Sequence, residues 1–359
     1  MKRADPFAPG LLAELPEAPK KAAVLRASRI GDFLCAVPAL RSLRAALPGT
    51  ELILITLPML RELALRLPCV DRVVGFPGYP GLAEQLFDPR RAAAFFQQMQ
   101  AEELDLAIQM QGTGVYSNPF VLMLGGRRTA GFVRPGDGPG LLQAALPIPE
   151  SGHEIERVLA LAEFLGAPSQ GKVVEIRLRP EDRAEAERLL RGAPAPWIGV
   201  HTGARDRTRR WPVQRFAQAG RRLQRQFGGS LVFLGDGGER ARAEEARRLA
   251  EVPALNLAGR MGLPALGALI ERLSVLLTND TGPAHLAYAL GAPVVTIFGG
   301  ADPARYGPPL PGPFEILVHP IACRPCPGDG CPIGFECLER IGVEQAVRAA
   351  GRLIQRTTQ

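Results

Sequence analysis

Short apolar runs alternate with helical patterns along the first half of the chain. Four of these runs predict buried strands, at residues 22–27, 51–57, 71–76 and 104–110. Helices are predicted between them, at residues 33–47 and 90–103, where apolar positions recur at helical spacing. Strands that alternate with helices indicate a parallel sheet with helices packed on both faces.

The alternation stops at the GDGPG segment, residues 136–140, and then resumes. Helices are predicted at 153–165 and 181–191, and the segment GAPAPW is typical of a linker. Five more strands follow, each leading toward a turn or a helical pattern: 197–201, 230–235, 255–259, 274–279 and 293–299. The second half therefore predicts a second doubly wound domain.

These patterns together predict an α/β chain with two Rossmann-like domains that face each other across a cleft. We expect a flexible N-terminal tail over residues 1–20, a first domain over 21–180 and a second over 181–359. Open α/β sheets bind ligands at the carboxyl ends of their strands, so two such domains suit a reaction between two substrates.

Composition narrows the class of protein. The chain has 359 residues, of which 46% are hydrophobic, enough for two domain cores. No apolar run approaches the roughly 18 residues that a membrane-spanning helix needs. The N-terminal segment also lacks the apolar stretch of a signal peptide. We therefore expect a cytoplasmic protein.

The chain is basic, with a net charge of +7, and arginine is concentrated at residues 205–210 and 221–226. This charge favours an anionic partner, such as a nucleotide phosphate or an acidic lipid headgroup. Solvated helix faces account for most of these arginines equally well. No RNA-binding aromatic signature and no helix-turn-helix pattern accompanies them, so we expect no nucleic-acid partner.

The most informative motif is NDTGPAHLAYALG at residues 279–291, where a predicted strand leads into a helix. The first N–H groups of a helix lack partners within it and carry partial positive charge, so a diphosphate is a natural ligand. Gly282 allows close backbone approach, and Thr281 can cap the helix or donate a hydrogen bond. Asp280 and His285 flank this position. The alternative is an ordinary capped helix.

A second candidate site is RASRIGDF at residues 26–33, directly after the first predicted strand. Asp32 is the acid of this loop and can act as a general base toward a substrate hydroxyl. Ser28 and Arg29 can contact an anionic group. The alternative is that Asp32 caps the following helix. A complete G-x-G-x-x-G motif follows none of the predicted strands, which argues against a nicotinamide dehydrogenase.

A third candidate site is HTGARDRTRRWP at residues 201–212. Thr202 and Thr208 offer hydroxyl groups. Arg209 and Arg210 offer planar guanidinium groups that suit phosphate oxygens. The alternative is an arginine-rich surface loop with Trp211 packed beneath it.

Two further turns carry weaker signals. In GDGGER at residues 235–240, Asp236 and Glu239 can reach ribose hydroxyls, although Gly-Asp-Gly is also ordinary turn chemistry. In AGRMGLPAL at residues 258–266, the side chain of Met261 can lie against a flat base. The alternative is a methionine that fills the core or the turn.

Four cysteines cluster near the C-terminus: Cys323, Cys326, Cys331 and Cys337. They can bind zinc or an iron–sulfur cluster, but their spacing is not that of two matched metal knuckles. The alternative is a reduced loop stiffened by proline and glycine. Disulfides are not expected in a cytoplasmic protein.

These segments, in this order, resemble the heptosyltransferases of glycosyltransferase family 9, bacterial enzymes that extend the lipopolysaccharide inner core. The resemblance runs from about Lys21 to the C-terminus. It is carried by VLRASRIGDFLCAVPALRSLRAALP, HTGARDRTRRWPVQRFA, LAGRMGLPALGALI, LTNDTGPAHLAYALGAPVVTIFG and CRPCPGDGCPIGFECL. The NDTGPxH and SxxGD segments are specific to the family, whereas the glycine-rich turn is not.

The resemblance implies a GT-B architecture and transfer of a heptose from ADP-heptose to a lipopolysaccharide inner-core or related glycan acceptor. It implies inversion at the anomeric carbon, with no metal and no cofactor. The first domain would bind the acceptor and the second the nucleotide sugar. Any membrane contact would be peripheral, at the inner face of the cytoplasmic membrane, where basic surface meets an anionic glycolipid.

The resemblance also implies roles for single residues. Asp32 matches the family's base, with Ser28 and Arg29 beside the acceptor. The DTGxxH residues of the donor site match Asp280, Thr281, Gly282 and His285. The other implied donor contacts are Thr202, Arg209 where the family usually has lysine, Met261 in the base pocket and, more loosely, Glu239.

Two other functions remain open on the sequence. One is another GT-B enzyme that uses a nucleotide sugar, with a different sugar donor or as an epimerase. The other is a non-catalytic binding protein stabilised by a metal at the cysteine cluster. The extra arginines of the third site and the long N-terminal tail depart from the family pattern, so the resemblance leaves the exact sugar and acceptor open.

Overall fold

A computed structural model describes residues 5–326 and 330–357. The chain divides into two compact units between Arg177 and Leu178. Each unit contains a six-stranded parallel sheet connected mainly through helices. This arrangement confirms the predicted α/β class with two Rossmann-like units.

Over its described residues, 5–177, unit 1 is built from six strands and six helices. The strands are β1 (Lys21–Leu25), β2 (Glu51–Thr56), β3 (Arg72–Gly75), β4 (Leu106–Gln109), β5 (Arg128–Val133) and β6 (Ala144–Pro147). The helices are α1 (Ile30–Cys35), α2 (Val37–Ala46), α3 (Arg61–Ala64), α4 (Pro89–Gln100), α5 (Ser117–Met123) and α6 (Glu154–Leu165). Short 3-10 turns lie at Leu11–Glu14 and Pro58–Leu60.

The strand order in unit 1 is β3-β2-β1-β4-β5-β6, with every neighbouring pair parallel. This is the order of a Rossmann sheet, in which the strand order reverses between β1 and β4. The register aligns Ala22 with Leu52 on one side and with Leu106 on the other. Loops after β1 and β4 therefore meet at the edge where such sheets bind ligands.

Unit 2 repeats this plan. Its strands are β7 (Trp197–His201), β8 (Ser230–Leu234), β9 (Ala254–Asn256), β10 (Val275–Asn279), β11 (Val294–Phe298) and β12 (Phe314–Val318). Its helices are α7 (Pro180–Leu190), α8 (Val213–Phe227), α9 (Arg240–Ala250), α10 (Leu263–Arg272), α11 (Gly282–Leu290), α12 (Pro303–Tyr306), α13 (Glu336–Glu339) and α14 (Val343–Thr357). A 3-10 turn lies at Arg207–Arg209.

The strand order in unit 2 is β12-β11-β10-β7-β8-β9, again fully parallel. The strand order reverses between β7 and β10, so the loops after these two strands lie where such sheets bind ligands. Trp211 is completely buried in the core and donates from Nε1 to the carbonyl of Ile341 at 3.0 Å. The loop after β7 is thus fastened to the body of the unit.

The structure corrects the predicted helix over 33–47 and the predicted N-terminal tail. The helix predicted over 33–47 is two helices, because the chain breaks at Ala36 and Pro38 stands in the first turn of α2, where its missing N–H costs nothing. The N-terminal segment is not loose over its described residues. Gly10 donates to Phe164, and the carbonyl of Pro6 accepts from Ala145, so this segment packs along unit 1.

No helix in the described ranges, 5–326 and 330–357, combines the length and apolar character needed to cross a membrane.

Candidate active site

The loops after β7 and β10 are fastened together by one buried amide. Asn279 Oδ1 accepts from the Trp211 backbone N–H at 3.0 Å. Its Nδ2 donates to the carbonyls of Thr202 at 3.2 Å and Gly203 at 2.9 Å. These bonds satisfy both ends of the amide in the interior. The loop that carries Arg209 is thereby held beside the DTG segment.

Asp280 lies at the centre of this edge, with its side chain 1% exposed. Its Oδ2 accepts from Arg209 Nη1 at 3.1 Å. Its Oδ1 is buried without a hydrogen-bond partner, and His285 Nε2 lies 3.6 Å from it. A buried carboxylate oxygen without a hydrogen bond is costly, which makes this atom a candidate ligand contact.

Helix α11 begins beside Asp280 with its N-terminus uncapped by a side chain. Thr281 is the N-cap residue, but its hydroxyl bonds to the Asn279 carbonyl at 3.2 Å and to His201 Nδ1 at 3.3 Å. Of the two predicted roles, Thr281 takes the N-cap position and donates from its hydroxyl toward the strand, without a side-chain capping bond to the helix. Gly282 and Pro283 form the first turn. A helix terminus without a side-chain cap favours an anion.

His201 links the loops after β7, β8 and β10, and no role was predicted for it from the sequence. It ends β7 and is 2% exposed. Its Nδ1 lies 3.0 Å from Thr278 Oγ1, and its Nε2 lies 3.1 Å from Glu239 Oε2. The feature that could have identified His201 as a site residue is its position at the end of an otherwise apolar strand, directly before Thr-Gly. Its partners on other strands were not visible in the sequence.

Glu239 is positioned by this histidine. Burial raises the pKa of Glu239, but the hydrogen bond and charge of His201 outweigh burial and hold the pKa below its ordinary value. Oε2 also accepts from the Asp236 N–H at 3.0 Å. Gly203 packs so closely that an added Cβ would lie 1.7 Å from Oε1. The carboxylate therefore remains ionised in a fixed position.

The remaining predicted donor residues are more spread out. Thr202 is buried, and its carbonyl accepts from Arg242 Nε at 3.1 Å. Arg210 donates to the carbonyls of Ala204 and Arg205, both at 2.6 Å, so it braces its own loop. Met261 is half-buried in the turn between β9 and α10, outside the hydrogen-bonded cluster of the described residues.

In unit 1, Asp32 stands in the first turn of α1 with its side chain 37% exposed. Arg29 is the N-cap residue of this helix, and Asp32 lies three residues later in the first turn. Ser28 Oγ is buried without a hydrogen-bond partner. Arg29 Nε lies 3.0 Å from Glu84 Oε2. The three predicted residues thus share one loop after β1.

A buried arginine supports that loop. Arg26 donates from Nε to the Asp32 carbonyl at 2.9 Å and from Nη1 to the Met110 carbonyl at 2.5 Å. Its Nη2 lies 3.3 Å from Glu154 Oε1, and Glu154 pairs with Arg157 at 2.6 Å. Arg26 Nη2 also lies 3.8 Å from Asp32 Oδ1. The orientation of the candidate base therefore depends on this ion network.

The four clustered cysteines do not form a metal centre in the described residues, 5–326 and 330–357, where no group of three or more metal-ligating side chains converges. Residues 327–329 of the cysteine loop lie outside that description. Burial raises the pKa of the Cys326 and Cys337 thiols. Cys331 Sγ accepts from the Phe335 N–H at 3.1 Å, and Cys326 N donates to Gly300 at 2.7 Å.

Comparison with known proteins gives a consistent picture. The model of glycosyltransferase family 9 (heptosyltransferase) matches residues 92–334. The lipopolysaccharide core heptosyltransferase OpsX of Haemophilus influenzae is 24% identical over 302 residues, covering 81% of this chain and 82% of that protein. Lipopolysaccharide heptosyltransferase 1 of Pseudomonas aeruginosa is 25% identical over 312 residues, covering 84% and 85%.

Among solved structures, the ADP-heptose lipopolysaccharide heptosyltransferase II of Escherichia coli has a similar fold. It superposes with a TM-score of 0.77 at 20% identity, covering 94% of this chain and all of that one.

Proposed function

The chain belongs to glycosyltransferase family 9, the heptosyltransferases, and we propose that it transfers a heptose from ADP-heptose to a lipopolysaccharide inner-core or related glycan acceptor. It is a glycosyltransferase with relatives named as lipopolysaccharide heptosyltransferases over most of its length. The observation that carries the proposal for the site is the buried Asp280 carboxylate, which lies with Arg209 and His285 beside the uncapped start of α11.

We assign the donor to unit 2. The diphosphate of ADP-heptose would lie at the N-terminus of α11, with Arg209 supplying a guanidinium group for its oxygens. Asp280 and His285 would contact the donor where Oδ1 lacks a partner. The fixed carboxylate of Glu239 would accept hydrogen bonds from ribose hydroxyls, and Met261 would lie near the base. These contacts favour a nucleoside diphosphate over an uncharged sugar.

We assign the base to Asp32 and the neighbouring acceptor contacts to Ser28 and Arg29. The carboxylate takes the proton of an acceptor hydroxyl as that oxygen attacks C1 of the heptose. The C1–O bond to the diphosphate breaks, and ADP leaves with the bonding electron pair. A single displacement inverts the anomeric centre. Arg209 and the α11 terminus would stabilise the charge on the leaving ADP, which is the role that a metal plays in other enzymes.

We also propose that the enzyme acts in the cytoplasm, peripherally at the inner face of the cytoplasmic membrane. The support is that its relatives are lipopolysaccharide heptosyltransferases, since a core acceptor is attached to lipid.

The test is the rate of ADP release with ADP-heptose and acceptor. Asp32→Ala should lower kcat by about 10²- to 10⁴-fold, because a general base typically contributes that much. Its affinity for ADP-heptose should remain that of the wild type, since the donor is assigned to unit 2. Asp137→Asn is the control, because Asp137 is an exposed acid of unit 1 paired only with Arg134 in the described contacts. Near-normal turnover by Asp32→Ala would refute the assignment of the base.

A further inference from the structure

Unit 1 exposes a concentrated set of large apolar side chains beside the candidate base. They belong to the loop between β3 and α4 and to the segment from the end of β4 through α5. Their exposed fractions range from 43 to 87%: Leu86, Phe87, Val115, Tyr116 and Met123. We call these five residues the apolar surface. Scattered exposed apolar residues are ordinary, whereas a contiguous group marks a binding surface.

The five residues are joined by one loop. The ring of Tyr116 packs on Gly81, where an added Cβ would lie 2.2 Å from the ring. Tyr79 Oη lies 3.8 Å from Met123 Sδ. Gly78 lies against the backbone of Leu86 and Phe87. The loop therefore brings the two chain segments together into one surface.

This loop packs on a cluster of aromatic side chains. Tyr79 stacks edge-on against Phe96 and Phe120, with ring centroids 6.3 and 5.4 Å away. Phe95 and Phe120 lie 5.7 Å apart in the same cluster. Since Tyr79 of the loop is half-buried against this cluster, Leu86 and Phe87 point outward from a loop that is itself packed on the unit.

Positive charge borders the apolar surface. Arg90 and Arg91 are exposed in the first turn of α4, and Arg91 donates to the Leu86 carbonyl at 3.2 Å. The acids of the loop are engaged: Asp88 caps α4, and Glu84 pairs with Arg29. Apolar side chains inserted at the headgroup boundary, with arginines at the rim, are the features that bind an anionic lipid surface.

The apolar surface also adjoins the loop of the candidate base, because the Arg29–Glu84 pair ties the two loops together. We propose that the apolar surface docks unit 1 on an anionic lipid bilayer, so that Asp32 lies near the sugar of a lipid-linked acceptor. The docking proposal depends on the proposed function in one respect, which is the assumption that the acceptor is linked to lipid. Lipid binding itself needs neither donor nor turnover.

The test is co-sedimentation of the full chain with phosphatidylcholine vesicles that contain one quarter phosphatidylglycerol. Wild type should bind them, and should bind pure phosphatidylcholine vesicles less well, because the arginines contribute through anionic headgroups. The double variant Leu86→Ser/Phe87→Ser should lower the partition coefficient at least about tenfold. The matched control is Leu249→Ser/Leu310→Ser, which removes two exposed leucines of unit 2 and should leave binding unchanged.

Vesicle binding by the double variant equal to that of wild type, or no binding by wild type, would overturn the proposal. A wild-type dimer that the double variant converts to monomer, with lipid binding unchanged, would assign the surface to a second copy of the chain. Turnover separates this proposal from the proposed function. The double variant should lose activity on a vesicle-embedded acceptor and keep it on the delipidated glycan, whereas failure of wild type on both acceptors would refute the function alone.

Discussion

Removing the guanidinium group of Arg209 should destabilise unit 2 even in the absence of ligand. The variant Arg209→Met keeps most of the aliphatic length and leaves the Asp280 carboxylate buried without its charged partner. Loss of one partner from a fully buried pair costs about 3 to 5 kcal/mol, whereas a fully exposed pair is worth about 0 to 1 kcal/mol. The Asp280 side chain is 1% exposed and that of Arg209 is 34% exposed. We therefore expect a loss of about 2 kcal/mol.

That loss corresponds to a Tm decrease of about 4 to 8 °C for a unit of this size. Scanning calorimetry of the full chain without nucleotide measures it. Arg207→Met is the control, because Arg207 is an exposed neighbour that packs on the ring of Phe335, and it should change stability by less than about 0.5 kcal/mol. In an Asp280→Asn background, Arg209→Met should cost far less, since no buried charge remains to be paired.

The reasoning fails if Arg209→Met unfolds at the same temperature as Arg207→Met, or if the cost is unchanged in the Asp280→Asn background. ADP titration adds an independent measurement. Loss of a charge-assisted contact to phosphate should weaken ADP binding by about tenfold or more. A destabilised variant with unchanged ADP affinity would show that Arg209 stabilises the buried Asp280 carboxylate but does not bind the nucleotide.

Three further predictions follow from the same geometry. The pKa of Glu239 is lowered in the folded state, so its carboxylate stabilises the fold above pH 4.5 and loses that effect as the pH falls toward the folded-state pKa. Glu239→Gln should therefore make the free energy of unfolding depend less steeply on pH in acid. The same pH dependence of the unfolding free energy in both proteins, measured by urea denaturation, would contradict this. Gly203→Ala should displace the Glu239 carboxylate and weaken ADP binding about tenfold in calorimetry, and wild-type affinity would refute the close contact. Arg26→Met should lower kcat while leaving ADP affinity intact, because it removes the support of the Asp32 loop, and restoration of kcat by Arg26→Lys distinguishes positioning from general unfolding.

The local pattern of apolar residues was sufficient to predict most strands of both sheets. The apolar runs at 51–57 and 197–201 correspond to β2 and β7. Strands β5, β6 and β12 were missed. In β12, Phe314–Val318 is only partly buried at the sheet edge and follows a proline-rich segment. The break between α1 and α2 was also missed. Apolar periodicity continues across Ala36, and the position of Pro38 alone did not decide between one helix and two.

The candidate site was predictable only where its residues are neighbours in sequence. Asp280, Thr281 and His285 lie in one motif, and the structure places them together. The partners of His201 come from β10 and the start of α9, so only the sheet order brings them within hydrogen-bond distance. Arg26 was likewise overlooked, since its partner Glu154 lies 128 positions away in the chain.

The central claim is that this chain binds and uses ADP-heptose. Calorimetric titration of the purified protein with ADP-heptose, UDP-glucose and GDP-mannose tests it most directly. We expect selective binding of ADP-heptose that is lost in His285→Ala, because His285 lies at the unpartnered oxygen of Asp280. Preferential binding of the uridine or guanosine sugar, or equal binding of all three, would contradict it.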